Sequence, residues 1–299
     1  MFKSRNKSNL VTNLFFMTTI SIYKNQVLEN GKKSILYDLY YAAHAKKQPI
    51  IVFCHGYKGF KDWGAWGKMC EKLAEEGIAV LKFNFSHNGG TIENPIDFPD
   101  EDAFGRNTYS LEMEDLNRVL NKLSTWSDKY DFIDLNRINL MGHSRGGAIA
   151  SYVATQRAEV KKLITLASIS NWGRPFNLSE EALKQWKEEG VRYVENTRTL
   201  QQLPHYYSFY EDYLAHHQEW NLEQAFEERA IPHLIIHGED DEAVDVAEAE
   251  ELHQWNTGSQ LLLIPNTGHT FGAQHPFEES KLPEALNQAV EEVIRFVKG

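Results

Sequence analysis

Two different periodicities run along the chain. From Ile20 to Val27 and again from Ile35 to Tyr41 apolar and polar residues alternate, on either side of Glu29-Asn30-Gly31. That pattern predicts an antiparallel hairpin with one half-buried face. Beyond it the apolar residues gather into short unbroken runs: Ile50–Cys54, Ile78–Phe83, Ile138–Met141, Leu163–Ala167, Leu234–His237 and Leu261–Ile264. Runs this short with no polar face predict strands covered on both sides, as in a parallel sheet. Between them Trp63–Glu76, Ser110–Trp126, Arg145–Thr155, Val246–Trp255 and Glu284–Val297 carry the spacing of amphipathic helices. Strand followed by helix, repeated, predicts an α/β fold: a mostly parallel central sheet with helices on both faces.

One connection breaks the rhythm. Asn171 to Ala230 is polar, helical in pattern and rich in aromatic residues, and far longer than the few residues that ordinarily join a strand to its helix. The expected organisation is therefore a core of residues 17–170 and 231–299 carrying a helical cap insertion at 171–230. Residues 1–16 read as a tail or upstream extension, because their basic start and interrupted apolar stretch match no secretory signal and Met17 opens the first strand-like segment.

Composition narrows the function classes. With 42% hydrophobic and 24% charged residues, the chain has the balance of an ordinary globular protein rather than a disordered or membrane-spanning one. A formal net charge of −11, with no cluster of Lys or Arg beyond the first few residues, argues against nucleic acid as a partner. Cys54 and Cys70 are the only cysteines. They make neither a disulfide framework nor a zinc site, so both are expected as buried thiols in a reducing, cytoplasmic setting.

The chemistry concentrates where apolar runs end. Gly142-His143-Ser144-Arg145-Gly146-Gly147 follows one run directly and opens a helix-forming stretch. A serine on a sharp strand-to-helix turn is held in a strained conformation. The residues two before and two after it must therefore lack side chains, and Gly142 and Gly146 meet that need. Ser144 is the candidate nucleophile. A hydroxyl is a weak nucleophile at neutral pH, so it needs a base, and the base needs an acid to orient its ring.

Two later strand ends offer them. His237-Gly238-Glu239-Asp240-Asp241 closes one run and Gly268-His269 follows the next. Asp241 is the expected acid, with Asp240 in reserve, and His269 the expected base, with His275 as the weaker candidate. The backbone N–H groups of Arg145 and Tyr57 are the expected oxyanion donors, Gly56 giving close approach. His55 precedes the nucleophile and is expected to shape its loop. In the 171–230 segment Tyr206-Tyr207-Ser208-Phe209-Tyr210 is the densest aromatic cluster, and Tyr206 and Tyr210 are expected to line an acyl pocket over Ser144. His205, His216 and His217 lack carboxylates at ligand spacing and read as surface histidines, so no metal is expected. No phosphate-binding or dinucleotide-binding glycine pattern is present in the sequence, and no cofactor is expected.

His55-Gly56, Gly142-x-Ser144-x-Gly146, His237-Gly238-x-x-Asp241-x-x-Val244 and Gly268-His269 together resemble the α/β-hydrolase superfamily over roughly residues 35–298. Within it, the short first loop and capped architecture are similar to the dienelactone hydrolase and cinnamoyl or feruloyl esterase-like branch. Family members often carry proline where this chain has Asp245. The resemblance implies cofactor-free hydrolysis of a small-molecule ester through an acyl-enzyme. The same residues would also serve a peptidase or thioesterase, and a non-catalytic binding module is the reading from a different class.

Overall fold

The computed structural model describes residues 19–29, 33–126 and 130–299. The expected tail at 1–16 and the turn residues Asn30 and Gly31 lie outside the described residues. Strands β1 (Ile20–Leu28) and β2 (Ile35–Ala42) pair antiparallel with Leu28 opposite Ile35, and the register slips between Tyr23 and Gln26. The chain continues through β3 (Gln48–Cys54), α1 (Trp66–Glu75), β4 (Ala79–Phe83), α2 (Glu101–Arg106), α3 (Tyr109–Ser124), β5 (Ile133–His143), α4 (Arg145–Gln156) and β6 (Val160–Leu166). After the segment described next come β9 (His233–Gly238), α8 (Val246–Trp255), β10 (Ser259–Ile264) and α9 (Glu284–Lys298).

The intervening segment is not purely helical. It holds a short 3-10 turn (Arg174–Phe176), α5 (Glu180–Glu189), the antiparallel pair β7 (Val191–Asn196) and β8 (Gln201–Tyr206), then α6 (Ser208–His216) and α7 (Leu222–Glu228). The hairpin corrects the all-helical expectation. Gly190 ends α5 in the left-handed region at φ 73° and returns its N–H to Trp186 O at 2.9 Å, a cap that stops the helix and releases the chain into β7.

The main sheet has eight strands in the order β1-β2-β4-β3-β5-β6-β9-β10. β2 is antiparallel to both neighbours, and every pairing from β4 to β10 is parallel. All seven residues of β3 are buried, and successive side chains enter opposite layers. Ile50 and Val52 join Leu116, Leu120, Ile149 and Val153 of α3 and α4. Ile51 and Phe53 join Trp66, Met69 and Leu73 of α1 and Val290 and Val293 of α9. Each such side chain contributes about 1.5–3 kcal/mol when fully buried, which is why these runs need no polar face. Cys54 and Cys70 are buried free thiols, and burial pushes Cys70 up to about 12.

A buried ion cluster ties the loop after β3 to the antiparallel edge. Asp38 of β2 accepts Lys61 Nζ at 2.9 Å and faces Lys82 Nζ at 3.3 Å, while Asp62 takes both lysines at 2.5 Å. Parallel strands leave their C-terminal ends on one edge of the sheet, where ligands of such folds bind.

Candidate active site

Ser144 stands alone between the end of β5 and the start of α4, at φ 55° and ψ −124°. A residue with a side chain is rarely found in this region. Its neighbours show why the turn can be so tight. A Cβ on Gly142 would lie 2.1 Å from the Gly146 carbonyl oxygen, and one on Gly146 would lie 2.4 Å from the His55 carbonyl oxygen. The turn is pinned by the Ser144 N–H donating to Leu166 O at 2.9 Å. With α4 beginning at Arg145, the serine side chain sits at a helix N-terminus, where backbone N–H groups lack helical partners.

β9 and β10 end beside this turn. The Asp241 side chain is fully buried. Its Oδ1 accepts the N–H groups of Ala243 at 2.8 Å and Val244 at 2.9 Å, and its Oδ2 lies 2.8 Å from His269 Nδ1 and 3.3 Å from His237 Nε2. Burial alone would raise this carboxyl, but hydrogen bonds from His237, His269 and the Val244 N–H outweigh it and hold the group well below the usual carboxylate range. Asp240 is exposed. His269 is anchored from behind, because His143 Nε2 lies 2.8 Å from its carbonyl oxygen. Burial pushes His143 down to about 3, so this ring is neutral. His275 belongs elsewhere: it accepts the Gly64 N–H at 3.0 Å and packs edge-on against Phe60.

His55 closes the first loop. Its Nε2 accepts the Phe85 N–H at 3.3 Å, which leaves Nδ1–H to donate to Gly56 O at 2.9 Å. Burial pushes it down to about 4. Gly56 lies against the nucleophile turn, since a Cβ there would meet Ser144 Cβ at 2.9 Å.

Ser144 and His269 line one cavity of about 460 Å³ together with Tyr57, Tyr109, Arg145, Ile169, Arg192, Val244 and His205. An imidazole held by a buried carboxylate, in a cavity shared with a strained serine, has the arrangement of a base that takes the proton from that hydroxyl. Residues 51–280 match the Alpha/beta hydrolase family. The chain belongs to this family.

Among its relatives, this alpha/beta hydrolase is 28% identical over 119 residues to an uncharacterized 31.7 kDa protein of Escherichia coli encoded in the traX-finO intergenic region, a match covering 40% of this chain and 37% of that one. The chain thus spans little more than a third of that curated relative. Its structure resembles Est1E from Butyrivibrio proteoclasticus, solved with ferulic acid bound, with a TM-score of 0.66 and 19% identity over 90% of this chain and 98% of that one. It also resembles a dienelactone hydrolase from Anabaena variabilis, with a TM-score of 0.60 and 17% identity over 93% and 97%. Among the described residues of the hydrolase no helix is long and apolar enough to cross a membrane.

The expected pair of pocket tyrosines is placed differently. Tyr206 turns away to donate to Asp102 at 2.8 Å beneath the Arg106 guanidinium, and Tyr210 packs on Phe176 and Trp186. Neither lines the cavity of this hydrolase. His205, expected at the surface, is only 4% exposed and does line it. Burial, with Arg145 and Arg192 nearby, pushes His205 down to about 3. Sequence reasoning also missed Tyr109 and Arg192 as lining residues. Arg192 and His205 come to one face only through the β7–β8 pairing, which no short stretch of sequence announces.

Proposed function

We propose that this hydrolase cleaves carboxylic esters of small molecules through an acyl-enzyme on Ser144. The observation that carries the reading is the Asp241–His269 hydrogen bond at 2.8 Å, with His269 facing the same cavity as the strained serine. In the first half, Ser144 Oγ attacks the ester carbonyl while His269 takes the hydroxyl proton and Asp241 orients and stabilises the imidazolium. The backbone N–H groups of Tyr57 and Arg145 receive the oxyanion. His269 then protonates the leaving alcohol. In the second half the same histidine activates a water that releases the acid.

Residues 171–230 act as the cap over this chemistry, and no cofactor is called for. The ester reading is supported by two proteins of the same fold, a dienelactone hydrolase and one that binds ferulic acid, an acid of the kind ester cleavage releases. Two buried free thiols fit a reducing, cytoplasmic setting.

Hydrolysis of 4-nitrophenyl esters from acetate to longer and aromatic acyl groups, by the wild type and by Ser144→Ala, tests the proposal. The variant should lose about 10⁴–10⁶-fold in kcat and all labelling by a fluorophosphonate. A variant that retains the rate removes Ser144 from the mechanism. A wild type that labels but spares esters moves the reading to thioesters or peptides, and one that does neither is a binding module.

A further inference from the structure

The cavity is cationic in an acidic protein. Three arginines line it, Arg145, Arg174 and Arg192, and among the described residues no Asp or Glu does, although the whole chain carries a formal −11. The three are not equally compensated. Arg174 is paired with Glu248 and also donates to the Ala243 carbonyl. Arg145 faces Glu112 at 3.5 Å, a long contact, and that same Glu112 oxygen is already held by Asn107 at 2.6 Å. Arg192 has no carboxylate partner among the described residues. It donates one hydrogen bond, to Pro175 O at 2.9 Å, and lies over the Trp186 ring at 4.3 Å, while its Nε is buried with no partner.

A second unpartnered atom lies beside it. Arg192 and His205 are opposite each other in the β7–β8 register, so their side chains share a face. His205 Nδ1 is buried and unpartnered, while its Nε2 lies 2.7 Å from Tyr57 Oη. The Tyr57 ring in turn lies 4.4 Å from the Arg145 guanidinium. Arg192, His205, Tyr57 and Arg145 therefore form one continuous polar wall with spare hydrogen-bonding capacity and excess positive charge. Buried polar groups left unpaired in a folded protein call for an explanation, and a guanidinium fork matches a carboxylate.

We propose that this wall binds a carboxylate on the acyl portion of the substrate, Arg192 being its principal partner and Arg145 contributing charge. The preferred substrates are then monoesters of dicarboxylic acids rather than esters of simple fatty acids. The inference deepens the ester reading and rests on it for the word acyl, but the anion subsite can be tested without turnover.

The mono(4-nitrophenyl) ester of adipate and 4-nitrophenyl hexanoate have acyl groups of equal carbon count and differ in the terminal carboxylate. The ratio of their kcat/KM values should favour adipate in the wild type. It should fall about tenfold or more in Arg192→Gln, as expected for a charged hydrogen bond, and recover in part in Arg192→Lys. A wild-type ratio at or below one, or a ratio indifferent to Arg192, overturns the subsite and leaves the ester reading standing. Calorimetry on Ser144→Ala with adipic acid monoanilide and hexananilide provides the second readout. Tighter binding of the monoanilide, lost in Ser144→Ala/Arg192→Gln, sustains the subsite even where no ester is turned over. Equal binding of the two overturns it, and this comparison within Ser144→Ala serves equally if Arg192→Gln fails to fold.

Discussion

At the ends of β5, β9 and β10, backbone holds side chain in place; along the hairpin β7–β8, side chain holds backbone. Ser144 is aimed by a turn that Gly142 and Gly146 alone can make, and Asp241 is fixed by two N–H groups of its own loop. The hairpin instead depends on rings and long polar chains: Trp186 donates to His205 O at 2.8 Å, Lys58 reaches Glu195 O at 3.1 Å, and Arg198 pairs with Asp97. The first region has committed both Asp241 oxygens and the Ser144 N–H to its own loops and strands. The second keeps hydrogen-bonding capacity unspent in Arg192 and His205. Under the proposed function, reaction chemistry belongs to the sheet and selectivity to the inserted segment, and each can be altered separately.

That division can be broken most severely at Asp241. Asp241→Asn should lower kcat by about 10⁴, by analogy with the same change in a serine protease triad, because an amide can present an N–H to His269 and favour the wrong tautomer. Steady-state kinetics on a 4-nitrophenyl ester decides it; a loss of less than tenfold takes the carboxylate out of the proposed machinery. The next largest effect lies in the other region. Trp186→Ala removes a ring that is 2% exposed and packed on Phe176 and Arg192, and should cost about 3–5 kcal/mol, read as a lower urea midpoint. Fluorophosphonate labelling of Ser144 should survive in the molecules that remain folded. If labelling disappears with the tryptophan, chemistry and insertion are not separable.

The smallest effect is on pH dependence. Burial lowers His205 to about 3 in the folded protein, against about 6.5 in an unfolded chain. A lowered histidine pKa means that the unfolded state binds the proton first, so its share of stability is present above about 6.5 and is lost as pH falls toward 3. His205→Asn should therefore lose less stability than the wild type between pH 7 and pH 5. Urea midpoints at the two pH values measure it, and parallel losses would place the proton uptake elsewhere.

Much of the main sheet was legible because its physics is local. A run such as Ile50-Ile-Val-Phe-Cys54 has no polar face to offer solvent, and a glycine two places either side of a serine declares the turn once an apolar run precedes it and a helix-forming stretch follows. The inserted segment was harder to read because its aromatic residues serve several directions at once. Phe209 faces inward, Tyr210 stacks within the segment, and Tyr206 turns out to Asp102. Which ring meets the cavity depends on how the hairpin docks, and nothing in five consecutive residues encodes that. Arg145 and Glu112 are likewise joined across 33 positions by folding alone.

The φ of 55° at Ser144 has a consequence for the history open to such a chain. A side chain held there costs of order 1–3 kcal/mol, and glycine would be released from that cost. Under the proposed function, the position that confers reactivity is thus one where random change can yield a sturdier but inert protein. Descendants selected only for persistence would drift toward silence at this residue, and only selection for turnover would hold a serine there.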